Sequence, residues 1–243
     1  MTANPLTQAH LDQLCRLDSS TVANAIEIFD VRLRNTGFTD SRVHCIFPDF
    51  PSMVGYAATV RVRTSDPPMK SHSYFDRTDW WSHILSIPAP RVVVVEDVDE
   101  HPGLGSFIGE VHANILYALG CVGVVTNGAV RGLRATRAIG FQMFAGNMSV
   151  SHAYAHILDF GGTVTAGRMK VQAGDLLHGD VHGVQTIPLE VADQIPNAAD
   201  EIARDKERAA AFCHSREFTL DRIRAALRDW KLGKKNFRTR EFS

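Results

Sequence analysis

The sequence predicts an α/β protein, and three observations carry that assignment. Val92–Val95 is a continuous β-branched run, the mark of a strand buried on both faces. Strand and helix patterns then alternate: a helix over Gly109–Leu119, a buried strand over Val122–Thr126, a short helix over Leu133–Ile139 and a strand over Phe141–Phe144. That β-α-β-α-β succession requires at least partly parallel pairing with right-handed crossovers. From Thr163 to Ile187 the pattern changes to short strands separated by Ala166-Gly167, Ala173-Gly174-Asp175 and His182-Gly183, turns that suit an antiparallel layer.

The other elements follow along the chain. Leu11, Leu14, Cys15 and Leu17 recur at helical spacing, and Asp18-Ser19-Ser20-Thr21 forms a cap before a second helix carrying Val22, Ala25, Ile26 and Phe29. Phe38–Met53, with its prolines and aromatics, is read as loop. Tyr56–Arg63 alternates in the manner of a half-exposed strand. Pro67-Pro68 opens an irregular stretch, and Trp80–Leu85 forms a short helix. After Pro188 the chain becomes charged and helical over Ala198–Phe212 and again over Leu220–Trp230, where Leu220, Ile223, Ala226 and Leu227 share one face. The expected organisation is one α/β domain over residues 1–188 and a C-terminal helical arm over 189–243. An arm of that length needs a surface to cover, expected to be a neighbouring subunit.

Composition excludes several classes. With 26 Lys and Arg against 27 Asp and Glu, the formal charge of −1 gives no basic field for a polyanion, so nucleic acid is not an expected partner. The basic run Lys231, Lys234, Lys235, Arg238, Arg240 is read as a solvated end. Cys15, Cys45, Cys121 and Cys213 are scattered without a Cys-x-x-Cys pair, which fits a reducing compartment rather than a zinc ribbon or disulfide scaffold. Cys121 lies in an apolar run and is expected to be buried. Met1–His10 carries no signal pattern, and the longest apolar stretch, near Leu116–Val125, is broken by glycines and shorter than the ~20 residues of a membrane span. A cytoplasmic protein without membrane association is the expectation.

The chemistry concentrates in the middle of the chain. Gly103, Gly105 and Gly109 follow a buried strand and precede a helix, but their G-x-G-x-x-x-G spacing is not a dinucleotide fingerprint, so no nucleotide cofactor is expected. They read instead as a glycine-rich approach to a helix whose first amides, near Val111 and His112, can bind a carboxylate. Arg131 follows Thr126-Asn127-Gly128 at the C-terminal end of a buried strand, the edge of a parallel sheet where ligands usually bind. A guanidinium there can grip a carboxylate with two hydrogen bonds. The alternative is a structural ion pair with Glu110 or a bond to a nearby carbonyl.

Glu110 and Arg131 are separated by twenty residues, within Gly109-Glu110-Val111-His112-Ala113 … Gly120-Cys121-Val122-Gly123-Val124-Val125-Thr126-Asn127-Gly128-Ala129-Val130-Arg131. This run resembles the RraA-like family, which contains 4-hydroxy-4-methyl-2-oxoglutarate aldolases with oxaloacetate decarboxylase activity and the regulator of ribonuclease activity A. Gly174-Asp175-Leu176-Leu177-His178-Gly179-Asp180-Val181-His182-Gly183-Val184 … Ile187-Pro188 is similar to the same family, and the resemblance extends from about Val54 to Pro188. It implies a swivelling β/β/α fold assembled as a homotrimer or a hexamer, with active sites between subunits. It also implies that the amides of Val111 and His112, together with Arg131, bind a pyruvyl group, and that Glu110, in place of the usual aspartate, manages a proton-shuttling water. The family's next residue is an aspartate holding Mg²⁺ or Mn²⁺, which polarises the keto oxygen of the substrate.

Here that residue is Gly132, which has no side chain to bind a metal. Other ligands are therefore weighed. His152 and His156 stand at i, i+4 spacing, and His178, Asp180 and His182 cluster near a turn; neither set forms the H-E-x-x-H motif. His112 lies beside Glu110, and Glu201 or Glu207 of the terminal arm could reach a neighbour's site. The metal ligands stay unassigned, and restoring an aspartate at 132 is expected to create or strengthen divalent-metal binding. Two functions remain open: a lyase cleaving or decarboxylating a small 2-oxo acid to release pyruvate, and a catalytically silent oligomeric protein of the same fold that binds a protein or metabolite.

Overall fold

In a computed structural model that describes residues 6–69 and 77–228, the described residues form eleven strands and six helices, with a further helical segment at their end. Thr7 and Asp18 cap α1 (Gln8–Leu14) and α2 (Ser19–Phe29); Asp18 accepts from the Thr21 amide at 2.8 Å, as the Asp-Ser-Ser-Thr sequence predicts. The short β1 (His44–Cys45) interrupts the expected loop, β2 spans Met53–Arg63, and α3 covers Thr78–Ser86. The predicted alternation follows as β3 (Arg91–Asp97), α4 (Glu110–Ala118), β5 (Cys121–Val130), α5 (Leu133–Ala138) and β6 (Gln142–Met148), with a short β4 (Ser106–Ile108) that the sequence did not announce between β3 and α4. Then come β7 (His156–Phe160), β8 (Val164–Ala166), β9 (Met169–Val171), β10 (Leu176–Asp180), β11 (Gly183–Ile187) and α6 (Ile195–Cys213).

Nine strands form one sheet ordered β1-β6-β5-β3-β2-β10-β11. The β2–β3, β3–β5 and β5–β6 pairs are parallel, while β10 and β11 add antiparallel strands beyond β2. At the far ends of two central strands a different partner takes over: β4 runs parallel to β5 at Ala129 and Val130, and β7 runs antiparallel to β2 from Val60 to Arg63. The remaining two strands, β8 and β9, form a separate hairpin.

This hairpin explains one departure from the sequence reading. Tyr56–Arg63 is not half-exposed: along β2 only Arg61 is exposed and only Arg63 is intermediate. One face of the sheet packs Ala58, Val60, Val93 and Val95 against Ile26, Ile84, Leu116 and Ile195 of the helices. The other packs Ala57, Val92, Val94 and Val125 against Val164, Met169 and Val171 of the hairpin. A strand covered on both sides shows no polar alternation. Cys121 is buried as expected, and burial pushes its thiol up to about 12.

The start of the terminal arm packs on its own chain. Ile195, Ala198, Ala199 and Ile202 of α6 are buried, and α6 lies against α2 and α1, whereas most of its second half is exposed. Residues 220–228 form a further helical segment. The basic run from Lys231 to Arg240, and Trp230 with it, lies outside the described residues. Among the described residues no helix is long and apolar enough to cross a membrane.

Candidate functional site

The C-terminal ends of β4 and β5 lie side by side, and everything at the site follows from that junction. The Arg131 amide donates to the Ile108 carbonyl at 3.1 Å, tying the residue after β5 to the end of β4. Gly109 is extended there and begins α4 with no side-chain cap. The first amides of a helix have no acceptor within it, so the start of α4 offers N–H groups and a partial positive charge to a ligand. The Arg131 side chain crosses directly over Gly109, where a β-carbon would stand 3.1 Å from Nε. The close approach of strand end and helix start therefore favours glycine at 109.

A cavity of about 1070 Å³ opens over this junction. Its polar lining is Glu110, Arg131, His112, His152, Ser106 and Ser149; its apolar wall includes Val111, Val130, Leu133, Met148, Val150 and Tyr154. Thus Glu110, Val111, His112 and Arg131, singled out by the sequence, share one cavity. The structural role considered for Arg131 is not realised: among the described residues neither its guanidinium nor the Glu110 carboxylate makes a hydrogen bond or ion pair. Arg61 and Arg137, by contrast, each hold an aspartate.

His112 has a defined protonation state. Its Nδ1 hydrogen-bonds the Phe107 carbonyl, which can only accept, so the ring carries its proton on Nδ1. Burial drives the imidazole pKa down to about 4; the bond to Phe107 opposes this shift, and the Arg131 charge adds to it. The ring is neutral at pH 7 and packs edge-on against Phe107, centroids 5.2 Å apart.

The loop below the site is pinned by Asp97, at the end of β3. Its carboxylate accepts from the Gly103 amide at 2.8 Å and the Asp99 amide at 3.1 Å, while Asn127 brackets the Asp97 backbone with two bonds of 2.8 Å. The glycine-rich stretch thus has a structural explanation that its spacing did not reveal: β4 is threaded through it, and no dinucleotide motif exists.

Gly132 adopts left-handed φ of 69° as the N-cap of α5. A β-carbon there would lie 2.9 Å from the Glu110 backbone nitrogen, so the turn is closed down onto the start of α4. Both the left-handed backbone and the 2.9 Å approach strain an aspartate at 132, so metal binding restored there requires the turn or the start of α4 to shift. Among the described residues no group of three or more His, Cys, Asp or Glu side chains could hold a metal. The donor set among the described residues does not fit the Mg²⁺ or Mn²⁺ that the resemblance implies.

The histidines separate. His152 lines the cavity from the loop after β6, with Nδ1 2.7 Å from the Ala153 carbonyl. His156 starts β7 and bonds the Tyr154 carbonyl, so the two are not a helical pair as their spacing suggested. His178, in the middle of β10, is fully buried: Nε2 faces the carbonyls of Leu14 and Leu17, and Nδ1 lies 3.1 Å from Ser19 Oγ. Asp180 accepts from the Ser19 amide at 2.7 Å and from His182 Nδ1 at 3.0 Å. Glu201 and Glu207 are exposed on α6 and do not line the cavity.

Sequence reasoning missed the wall formed by Met148, Val150 and Tyr154. Met148 is placed by its register with Val130, one residue before Arg131, and the loop is held by the Ser106 amide on the Ser151 carbonyl at 2.9 Å. Pairing between distant segments has no local signature in the chain.

A family model described as RraA-like, Aldolase/RraA, matches residues 19–185. The chain belongs to the RraA-like family. A curated relative from Halalkalibacterium halodurans, named "Putative 4-hydroxy-4-methyl-2-oxoglutarate aldolase", is 30% identical over 90 residues, 37% of this chain and 43% of that protein. The alignment therefore spans less than half the length of that relative. Among solved structures, an uncharacterized protein from Pseudomonas syringae pv. tomato superposes with a TM-score of 0.70 at 19% identity, covering 93% of this chain and 97% of that one. Streptomyces coelicolor RraAS2, titled an unusual member of the RNase ES inhibitor RraA protein family, gives 0.66 at 18% identity over 85% and 98%. These likenesses establish the RraA-like fold for the α/β domain.

Proposed function

We propose that the chain is a lyase-type member of the RraA-like family, acting on a small 2-oxo acid by retro-aldol cleavage or decarboxylation and releasing pyruvate. The observation that carries this reading is the Arg131 guanidinium in the cavity at the start of α4, which has no hydrogen-bond or ion-pair partner among the described residues. Arg131 grips the substrate carboxylate, and the first amides of α4, at Val111 and His112, take up its carbonyl oxygens. As the carbon–carbon bond breaks, negative charge moves onto the keto oxygen. Fixed N–H dipoles and a guanidinium stabilise that charge without reorganising. Glu110, exposed at the first residue of α4, passes the proton through water. No step is assigned to a metal, because the described residues do not supply its ligands. In this reading the protein works as a homotrimer or hexamer, and the terminal arm over 189–243 contacts a neighbouring subunit.

Gly132 favours a second reading. With its turn closed onto Glu110, the same cavity serves a catalytically silent oligomer that binds a metabolite or protein. One experiment separates the two. Purified protein is assayed for pyruvate release from oxaloacetate and from 4-hydroxy-4-methyl-2-oxoglutarate, with Mg²⁺, Mn²⁺ or chelator. Release that Arg131→Met abolishes supports the lyase. Release no faster than the protein-free reaction under every condition, with a monocarboxylic 4-hydroxy-2-oxo acid assayed beside these two, removes it and leaves the binding protein.

A further inference from the structure

The cavity is far larger than a three-carbon acid requires. At about 1070 Å³ it reaches the upper end of the range for pockets that enclose drug-sized ligands. Its charges are confined to one end. Among the described residues Arg131 is the only arginine or lysine that lines it, and the one carboxylate, Glu110, stands beside that arginine. Beside the uncharged polar groups of Ser106, Ser149, His112 and His152, the wall carries exposed apolar side chains: Val111, Met148, Val150 and Tyr154 are each more than half exposed, Val150 to 97%. These side chains come from α4, the end of β6 and the following loop, so three segments converge on one apolar surface beside one anion site. Such a surface next to a single cation is complementary to a molecule with one charged end and one greasy end.

We infer that the substrate is a monocarboxylic 2-oxo acid with an apolar substituent, its tail lying on Val111, Met148, Val150 and Tyr154, rather than a di- or tricarboxylate. This rests on the lyase reading above and narrows it to retro-aldol cleavage. In a 4-hydroxy-2-oxo acid, R–CH(OH)–CH₂–CO–COO⁻, the bond between the third and fourth carbons breaks. The hydroxyl proton leaves to Glu110 through water, and the hydroxyl-bearing carbon departs as the aldehyde R–CHO. The bonding pair moves onto the keto oxygen as an enolate, which takes a proton at the third carbon to give pyruvate. Atoms and electrons balance without any further reactant. A second carboxylate on R would lose its hydration against Val150 and Tyr154, with no further cation among the described lining residues to repay it, and would meet the Glu110 charge.

The test is calorimetric binding of unbranched 2-oxo acids from pyruvate to 2-oxohexanoate to the full-length protein, with 2-oxoglutarate as the charged counterpart of 2-oxopentanoate. Burial of methylenes predicts affinity rising by up to about fourfold per added carbon, and at least about tenfold across the series. 2-Oxoglutarate should bind at least about tenfold more weakly than 2-oxopentanoate, because its second carboxylate has no partner. Tyr154→Ser and Val150→Asp, both at exposed positions, should flatten the dependence on chain length. A flat series, or 2-oxoglutarate binding as tightly as 2-oxopentanoate, overturns the inference. So does a Val150→Asp variant that breaks an oligomer while keeping the chain-length series, since the apolar wall would then belong to a second copy of the chain. Pyruvate binding that Arg131→Met does not weaken would instead sink the underlying lyase site. The two failures are thereby distinguishable.

Discussion

Two polar regions of this molecule use similar side chains in opposite ways. Around His178 every group has a partner: Nε2 donates to the carbonyls ending α1, Nδ1 accepts from Ser19, and Asp180 accepts from the Ser19 amide and from His182. Around Arg131 the charged groups have none among the described residues, although the backbone on which they stand is fixed by the β4–β5 junction. The first region joins two helices to the sheet; the second holds charges ready for something the chain does not contain. In sequence His178 and Asp180 look as much like a site as Glu110 and Arg131 do. Hydrogen-bond satisfaction tells them apart, because a buried group keeps its partners for stability and an open one is spare for a ligand.

Breaking the satisfied region should have the largest effect. His178→Ala leaves two carbonyls and a serine hydroxyl without their partner and opens a void, a loss of about 3–4 kcal/mol in urea denaturation. Carboxylate binding by the folded fraction should persist; a loss of stability near zero would mean the His178 network does not join the layers. Breaking the open region should do the reverse. Arg131→Met is expected to weaken pyruvate binding at least 100-fold, about 2.7 kcal/mol, while denaturation shifts by no more than about 0.5 kcal/mol. Comparable unfolding by the two variants would erase the distinction between the regions.

His112 lies between these extremes and gives a pH test. Its folded pKa of about 4 is below its unfolded value, so the unfolded chain binds more protons between the two. Its contribution is fully present above about pH 6.5 and is lost as the pH falls towards 4, about 2 kcal/mol after allowing for partial exposure. His112→Gln should make the stability profile shallower across that window; an unchanged slope would show that the ring is not neutral in the fold. The smallest effect is expected at Gly132. Gly132→Ala should cost about 1–2 kcal/mol, from a left-handed backbone and a crowded β-carbon. Gly132→Asp should destabilise likewise without gaining Mn²⁺ affinity, measured by calorimetry.

Much of the fold was legible because it is written in local patterns. The valines of Val92–Val95, the Asp18 cap and the positive-φ turns at Gly167, Gly174 and Gly183 each act over a few residues. β4 and β7 were not legible: three residues of β4 follow glycines, and β7 pairs with a strand almost a hundred residues earlier. The burial of β2 was missed because its second cover, the β8–β9 hairpin, lies more than a hundred residues away. At the site, Glu110 and Arg131 were legible through their spacing, which joins a helix start to a strand end. The wall of Met148, Val150 and Tyr154 was not, since its place depends on sheet register. Nor could the sequence show that Gly132 lacks room for a side chain; that depends on how closely α4 approaches.

The contact between the Gly132 turn and the Glu110 amide bears on the history of the site. Exchanging an aspartate for glycine needs only a smaller side chain. Once the turn has settled against the helix, the reverse exchange meets a strained conformation and an occupied volume. Loss and regain are therefore unequal steps, and the order of substitutions matters: α4 or the turn has to shift first before a carboxylate at 132 is tolerated. What bars a carboxylate at 132 is thus the placement of the backbone rather than side-chain chemistry.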